Sequence, residues 1–196
     1  MSKSKASIKY DRDYRFEDRV ERVFDILRKT NVCTHENLFK YSHHMNKKIS
    51  KSRFNILLKL KDIKKIPVVD KKTSKVYEAY TLSDRGRTYI KDFLGGNIYS
   101  SRSTFHDYHQ SNFLFENFSI DEIETYKHEK ELTAPSKVDV HISIQQKISR
   151  PDGQIRLTTG ETVFIETITK DYSPNKIKAK IRYSSLSNTR CIYNVL

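Results

Sequence analysis

The stretch "RPDGQIRLTTGETVFIETITKDYSPNKIKAKIRYSS", Arg150 to Ser185, decides how the second half of this chain is read. It opens on Pro151-Asp152-Gly153, a turn signal, and runs into the strand-like QIRLTT. After Gly160-Glu161 comes TVFIETIT, rich in β-branched residues, with one carboxylate, Glu166, set in the apolar run. Ser173 and Pro174 then start a lysine-rich helix, the serine as N-cap and the proline at the first helical position. Asp152 and Glu166 stand 14 residues apart across one predicted hairpin, so strand pairing brings them together. The plain alternatives are a turn acid ahead of Gly153 and an acid on an exposed strand face.

Working outward, SKVDVHISIQQKI alternates: Val138, Val140, Ile142 and Ile144 on one face, Asp139, His141 and Ser143 on the other. That period predicts a half-buried strand. Upstream, STFHDYHQSNFLFENF and SIDEIETYKHEKEL predict two helices, the second capped by Ser119 with acids in its first turn. RCIYNV predicts a last strand. The predicted order is α-β-β-β-α-β.

In the first half, RFEDRVERVFDILRKT spaces Phe16, Val20, Val23, Phe24 and Leu27 as a single helical stripe. Thr34 caps a short helix through HENLFKYS. In SKSRFNILLKLKDIKKI, Phe54, Leu57, Leu58 and Ile63 face inward while Lys51, Arg53, Asn55, Lys59 and Lys61 point away. Two strand-like runs, IPVVD and KVYEAYTLS, flank the basic turn KKTSK, and DRGRTYIKDFL closes the unit as a helix. Helix, helix, basic helix, basic hairpin, helix is the order of a winged helix-turn-helix. The ending YTLSDRGRTYI resembles the close of many winged-helix proteins, where the last strand enters a helix through a Thr/Ser-x-x-Gly turn. Such a third helix places its N-terminal residues at base edges while the wing reaches phosphates. The candidates for DNA contact are therefore Ser50, Lys51, Arg53, Asn55 and Lys59, with Lys71, Lys72 and Lys75 on the wing. His43 and His44 are turn residues on this reading, because adjacent side chains diverge and no third ligand has a suitable spacing.

Charge divides the chain in the same place. Met1 to Leu94 carry 24 Lys and Arg against 12 Asp and Glu; the remainder carries 13 against 12. An excess confined to one half points to a polyanion facing that half. The basic residues are not laid along one amphipathic helix, which favours duplex DNA over an anionic membrane. No 18-residue apolar run and no signal-peptide pattern is present, and Cys33 and Cys191 suit neither a disulfide framework nor a zinc site. The expectation is a reduced, cytoplasmic protein. Its parts are a flexible basic N-terminus (1–14), a winged-helix domain (15–94), a linker (95–103) and an α/β domain (104–196), for an overall α+β class. A homodimer through helices in 104–131 is one option; intramolecular packing of the same faces is the other.

The order of the second half, with Asp at the start of one strand and Glu in the next, resembles the PD-(D/E)xK nuclease fold. Two converging carboxylates suit Mg²⁺ or Mn²⁺, hard cations that take oxygen ligands and keep several waters. The resemblance implies Asp152 and Glu166 as metal ligands and catalytic residues, with a lysine beside them. That fold carries lysine two positions after the glutamate, where this chain has Ile168. The amine would come from Lys180 or Lys178 on the following helix, or from Lys170; without one, the domain would be catalytically dead. More narrowly, the chain resembles the replication-relaxation family of plasmids and related mobile elements. The matching residues are Pro151-Asp152, VFIE ending at Glu166, and KIRY from Lys180 to Tyr183, with His106 or His109 as an upstream histidine. The resemblance implies double-stranded DNA as partner, and other mobile-element proteins such as a relaxase, replication initiator or transposase.

Overall fold

The computed structural model describes residues 18–41, 49–95, 97–99, 103–119, 122–133 and 148–196. The predicted flexible N-terminus, the histidine turn 42–48 and the predicted strand 138–144 lie outside the described residues. What is described is a mixed α+β structure with a two-stranded and a four-stranded sheet.

Helix α1 (Asp18–Thr30) buries Val23, Phe24 and Leu27 completely, as its three- and four-residue apolar spacing requires. It stops because Asn31 turns left-handed at φ 63° and returns its N–H to the Leu27 carbonyl, at 2.9 Å. Asparagine tolerates that conformation at the position just past a helix end. Thr34 caps α2 (His35–Tyr41), its hydroxyl accepting the Asn37 N–H at 3.2 Å. Ser50 does the same for α3 (Lys51–Lys59), accepting the Arg53 N–H at 3.2 Å.

The predicted third helix overruns. Lys61 takes φ 58° and the Asp62 N–H bonds the Leu57 carbonyl at 2.9 Å, which closes α3. Ile63 is therefore buried as the first residue of β1 (Ile63–Val69), not as a helical residue. β1 pairs antiparallel with β2 (Val76–Leu82), and a Cys33–Tyr80 bridge ties the α1–α2 connection to the hairpin.

Ser83 accepts the Gly86 N–H at 3.2 Å and so caps α4 (Asp84–Tyr89), which runs on through a wider turn at Ile90–Leu94. Here glycine is a steric necessity: a Cβ at residue 86 would stand 2.1 Å from the Asp62 carbonyl oxygen. The Ser-x-x-Gly signal is thus a cap and a close helix-to-turn contact at once.

In the second half, α5 (Thr104–Asn117) starts from a Ser103 cap. Then a prediction fails. The segment expected to be a helix from Ser119 is a strand, β3 (Ile123–His128). Half of the expected capping box is present, Ser119 N–H bonding Glu122 Oε2 at 2.9 Å, and from Ile123 the chain is a strand. Tyr126 and His128 are buried while Glu124, Thr125 and Lys127 stay exposed, an alternation that rewards pairing with β4 (Gly153–Leu157) over helix propensity. β4 pairs antiparallel with β5 (Thr162–Ile168). After α6 (Pro174–Leu186) the chain returns as β6 (Arg190–Val195), parallel to β5. The sheet order is β3-β4-β5-β6. The expected α-β-β-β-α-β sequence is therefore present among the described residues, with a different segment as its first strand.

One buried apolar cluster runs through both halves of the chain: Phe24, Leu27, Phe54 and Ile90 belong to it, and so do Leu114, Phe115, Ile155 and Ile165. A smaller cluster packs Val68 and Ala79 of the hairpin against Phe105 and Tyr108 of α5. No helix among the described residues is long and apolar enough to cross a membrane.

Candidate functional site

Strand alternation sorts the faces of β5. Val163 and Ile165 join the main cluster beneath α5, whereas Phe164 packs with Leu132 and with Tyr183 of α6. Glu166 falls on the α6 side with Phe164 and meets Lys180, whose Nζ lies 2.8 Å from Glu166 Oε2. Asp152, just before β4, sits at the end of the sheet and uses both faces. Its Oδ1 lies 3.3 Å from the same Lys180 Nζ. Its Oδ2 accepts the Thr167 N–H at 2.8 Å and lies 3.0 Å from His106 Nε2 on α5. The backbone completes the link, with the Asp152 N–H donated to Glu166 Oε2 at 2.9 Å.

All of this is buried: Asp152 and Lys180 are 3 % exposed and Glu166 is 1 % exposed. Ions so far from water are costly unless compensated. Burial raises the Glu166 carboxyl to about 7, Asp152 adding to the rise and Lys180 opposing it. Burial would raise Asp152 too, but His106, Lys180 and the Thr167 N–H together hold it below the ordinary carboxylate value. Burial would lower His106, but Asp107 and Asp152 outweigh it and raise the imidazole to about 10. Lys180 likewise ends above the ordinary lysine value, burial being overcome by Asp152 and Glu166. Two neighbouring carboxyls have been pushed in opposite directions, a pattern shared by catalytic sites and by structural ion-pair networks.

Of the three candidate amines, Lys180 is in the cluster; Lys178 and Lys170 are exposed. Of the two candidate histidines, His106 touches Asp152, whereas His109 packs among the rings of Tyr77, Phe105 and Tyr108. Ile168, at the usual lysine position, is half-buried at the end of β5.

As for a metal, Asp152 and Glu166 supply the oxygen donors that Mg²⁺ prefers, and Glu166 Oε1 is buried without a hydrogen bond. The Tyr172 phenol also faces this carboxyl, so a cation would share it with Tyr172. Among the described residues no three His, Cys, Asp or Glu side chains are grouped for metal binding. Any further ligands would have to be waters or carbonyls, as is common for Mg²⁺.

Sequence reasoning missed two neighbours. Asp107 lies 3.6 Å from His106 Nδ1 and accepts a 2.6 Å hydrogen bond from Asn31. Tyr172, just before α6, has its phenol raised by burial and by Asp152 and Glu166. Neither carries a sequence signal, since Asp107 sits inside a predicted helix and Tyr172 in the loop before Ser173.

The candidate DNA-contact residues lie on two exposed surfaces. Lys51, Asn55 and Lys59 recur every four residues and form one exposed stripe on α3, beside an open groove. Arg53 is half-buried off that stripe, and the Ser50 hydroxyl is engaged as the N-cap. Lys71, Lys72 and Lys75 stand exposed at the hairpin tip, where Asp70 fixes the turn by accepting the Lys72 N–H at 2.9 Å. Compared with family models, curated proteins and solved structures, the chain matches none of them.

Proposed function

We propose that this chain is a DNA-binding protein whose first half acts as a winged helix and whose second half carries a PD-(D/E)xK-like centre for phosphodiester cleavage. The observation that carries this reading is the convergence of Asp152 from the turn before β4, Glu166 from β5 and Lys180 from α6 onto one point. The helix-helix-helix-hairpin-helix order and the exposed lysines of α3 and the hairpin support the DNA-binding part. The resemblance to replication-relaxation proteins supports a role on a plasmid or other mobile element, in replication, transfer or regulation, inside the cytoplasm.

Asp152 and Glu166 would hold Mg²⁺ or Mn²⁺, which supplies Lewis acidity and a bound water of lowered pKa. Lys180 brings a fixed positive charge beside both carboxylates, suited to a phosphate's developing charge. His106 keeps Asp152 ionised, and Glu166, whose carboxyl burial raises to about 7, would give up its proton on taking up the cation. Lys180 at Ile168's expense is a relocation of the amine from strand to helix.

A second reading keeps DNA binding and makes the second half a scaffold. One observation favours it: Lys180 already pairs with both carboxylates and His106 with Asp152, so the cluster compensates its own charge. Nicking and cleavage of supercoiled and branched DNA with Mg²⁺ or Mn²⁺ separates the two. Cleavage by the wild type, lost in Asp152→Ala and Glu166→Ala with DNA affinity retained, is expected. Uncut DNA at retained affinity leaves the scaffold.

A further inference from the structure

A line of polar contacts joins the buried centre to the basic half. Arg87 on α4 donates from Nη2 to Asn31 Oδ1 at 3.2 Å. Asn31 donates from Nδ2 to Asp107 Oδ2 at 2.6 Å. Asp107 Oδ1 lies 3.6 Å from His106 Nδ1, and His106 Nε2 lies 3.0 Å from Asp152 Oδ2. Asn31 is 8 % exposed and Asp107 1 % exposed, so the middle of the line is removed from water. The Arg87–Asn31 and Asn31–Asp107 links are hydrogen bonds between different parts of the fold, whereas Asp107 and His106 are neighbours on α5 and meet, as His106 and Asp152 do, through a charge contact. Asn31 also carries the left-handed backbone that ends α1, at φ 63°. Helix termination and the polar line thus depend on one residue.

We propose that Asn31 and Asp107 are positioning residues that seat His106 on Asp152 and make the geometry of the Asp152–Glu166–Lys180 centre depend on Arg87. As a statement about cleavage this rests on the nuclease reading above; as a statement about the connection between the halves it does not. The groups around His106 are Asp107 and His109 on its own helix, Asp152 before β4, and Lys180 beyond Asp152 on α6. Of these, only Asp107 leads back towards Arg87, through Asn31. Removing the asparagine amide therefore breaks the line without touching the centre.

Amide hydrogen exchange reads the effect directly. The Thr167 and Asp152 N–H groups both donate to carboxylates of the centre, so their exchange reports how firmly it is held. The test uses Asn31→Gly, which keeps the left-handed backbone, together with the near-isosteric Asp107→Asn and with Arg87→Met. Each should speed exchange at Thr167 by roughly tenfold or more. The Leu60 N–H, bonded to the Ile56 carbonyl at 2.9 Å at the end of α3, should be unchanged. Arg87→Met combined with Asn31→Gly should add nothing to either alone, because both cut the same line. Unchanged exchange at Thr167, or equal acceleration at Thr167 and Leu60, overturns the proposal. If the wild type cleaves DNA, Asn31→Gly should lower kcat with DNA affinity unchanged; an unchanged kcat counts against the positioning role. A wild type that does not cleave removes the nuclease reading, and the exchange rates still decide the connection.

Discussion

The lysines of α3 and the hairpin tip stand in water, whereas Lys180 is enclosed by two carboxylates beneath α6. Both belong to the chemistry proposed for this chain, but they act under different physics. Exposed cations interact at long range, are screened within about 10 Å at 0.1 M salt, and contribute little to folding. A buried ion pair is hardly screened, and losing one partner leaves the other uncompensated. Net charge therefore locates the first surface and is blind to the second, where cations and carboxylates cancel.

The comparison breaks first at Lys180. Lys180→Met should cost about 3–5 kcal/mol in denaturant unfolding, because it strands Asp152 and Glu166 in the interior. Lys59→Met, on the exposed stripe, should stay within about 0.5 kcal/mol. Similar costs for the two would mean that the cluster is not the buried, compensated site described here.

Salt tests the exposed surface next. If five lysines of α3 and the hairpin (Lys51, Lys59, Lys71, Lys72 and Lys75) neutralise phosphates, duplex affinity should fall roughly 100- to 1,000-fold between 50 and 200 mM salt. A flat titration by anisotropy would refute DNA binding through these residues.

The buried cluster should instead respond to pH. Glu166 rises from 4.5 to about 7 on folding, so the folded state holds its proton more tightly and stability falls as pH climbs through that window. His106 rises from 6.5 to about 10, so its contribution is complete below 6.5 and is lost as pH passes through about 10. Asp152 is lowered, so its contribution is lost on the acid side, below the ordinary 3.8. Unfolding free energy should thus decline by several kcal/mol from weakly acidic to alkaline pH, and His106→Gln should flatten the alkaline part. An undiminished alkaline decline in that variant would place its origin elsewhere.

The smallest effect sharpens the exposed side. Lys72→Ala should weaken all duplexes alike and reduce the salt slope by about one, whereas Asn55→Ala should cost about 1–3 kcal/mol on one preferred sequence. Equal losses on every sequence for Asn55→Ala would remove α3 from base reading.

Among the described residues, the helices and hairpin of the first half were largely legible because their signals are local: the Thr34 cap and the Ser-x-x-Gly turn from Ser83 to Gly86 both form, whereas Ser50, read as a DNA contact, serves as the cap of α3. The third helix was read too long because a left-handed residue such as Lys61 leaves no mark in a lysine-rich stretch. β3 was misread for the opposite reason. Ser119 and Glu122 make half of a capping box, and the segment's Glu and Lys content favours a helix, but pairing with β4 is a non-local gain that no window of sequence contains.

By itself the sequence determined the charge division, the caps and turns, the β4–β5 hairpin that places Asp152 against Glu166, and the proline-started helix that follows. Only the tertiary structure decided which segment became the first strand, which lysine met the acids, and that Asn31 reaches Asp107 76 residues away. The physical reason is common to all three. Backbone preference and capping are settled within a few residues, whereas a buried polar group is satisfied by whatever partner the fold brings to it.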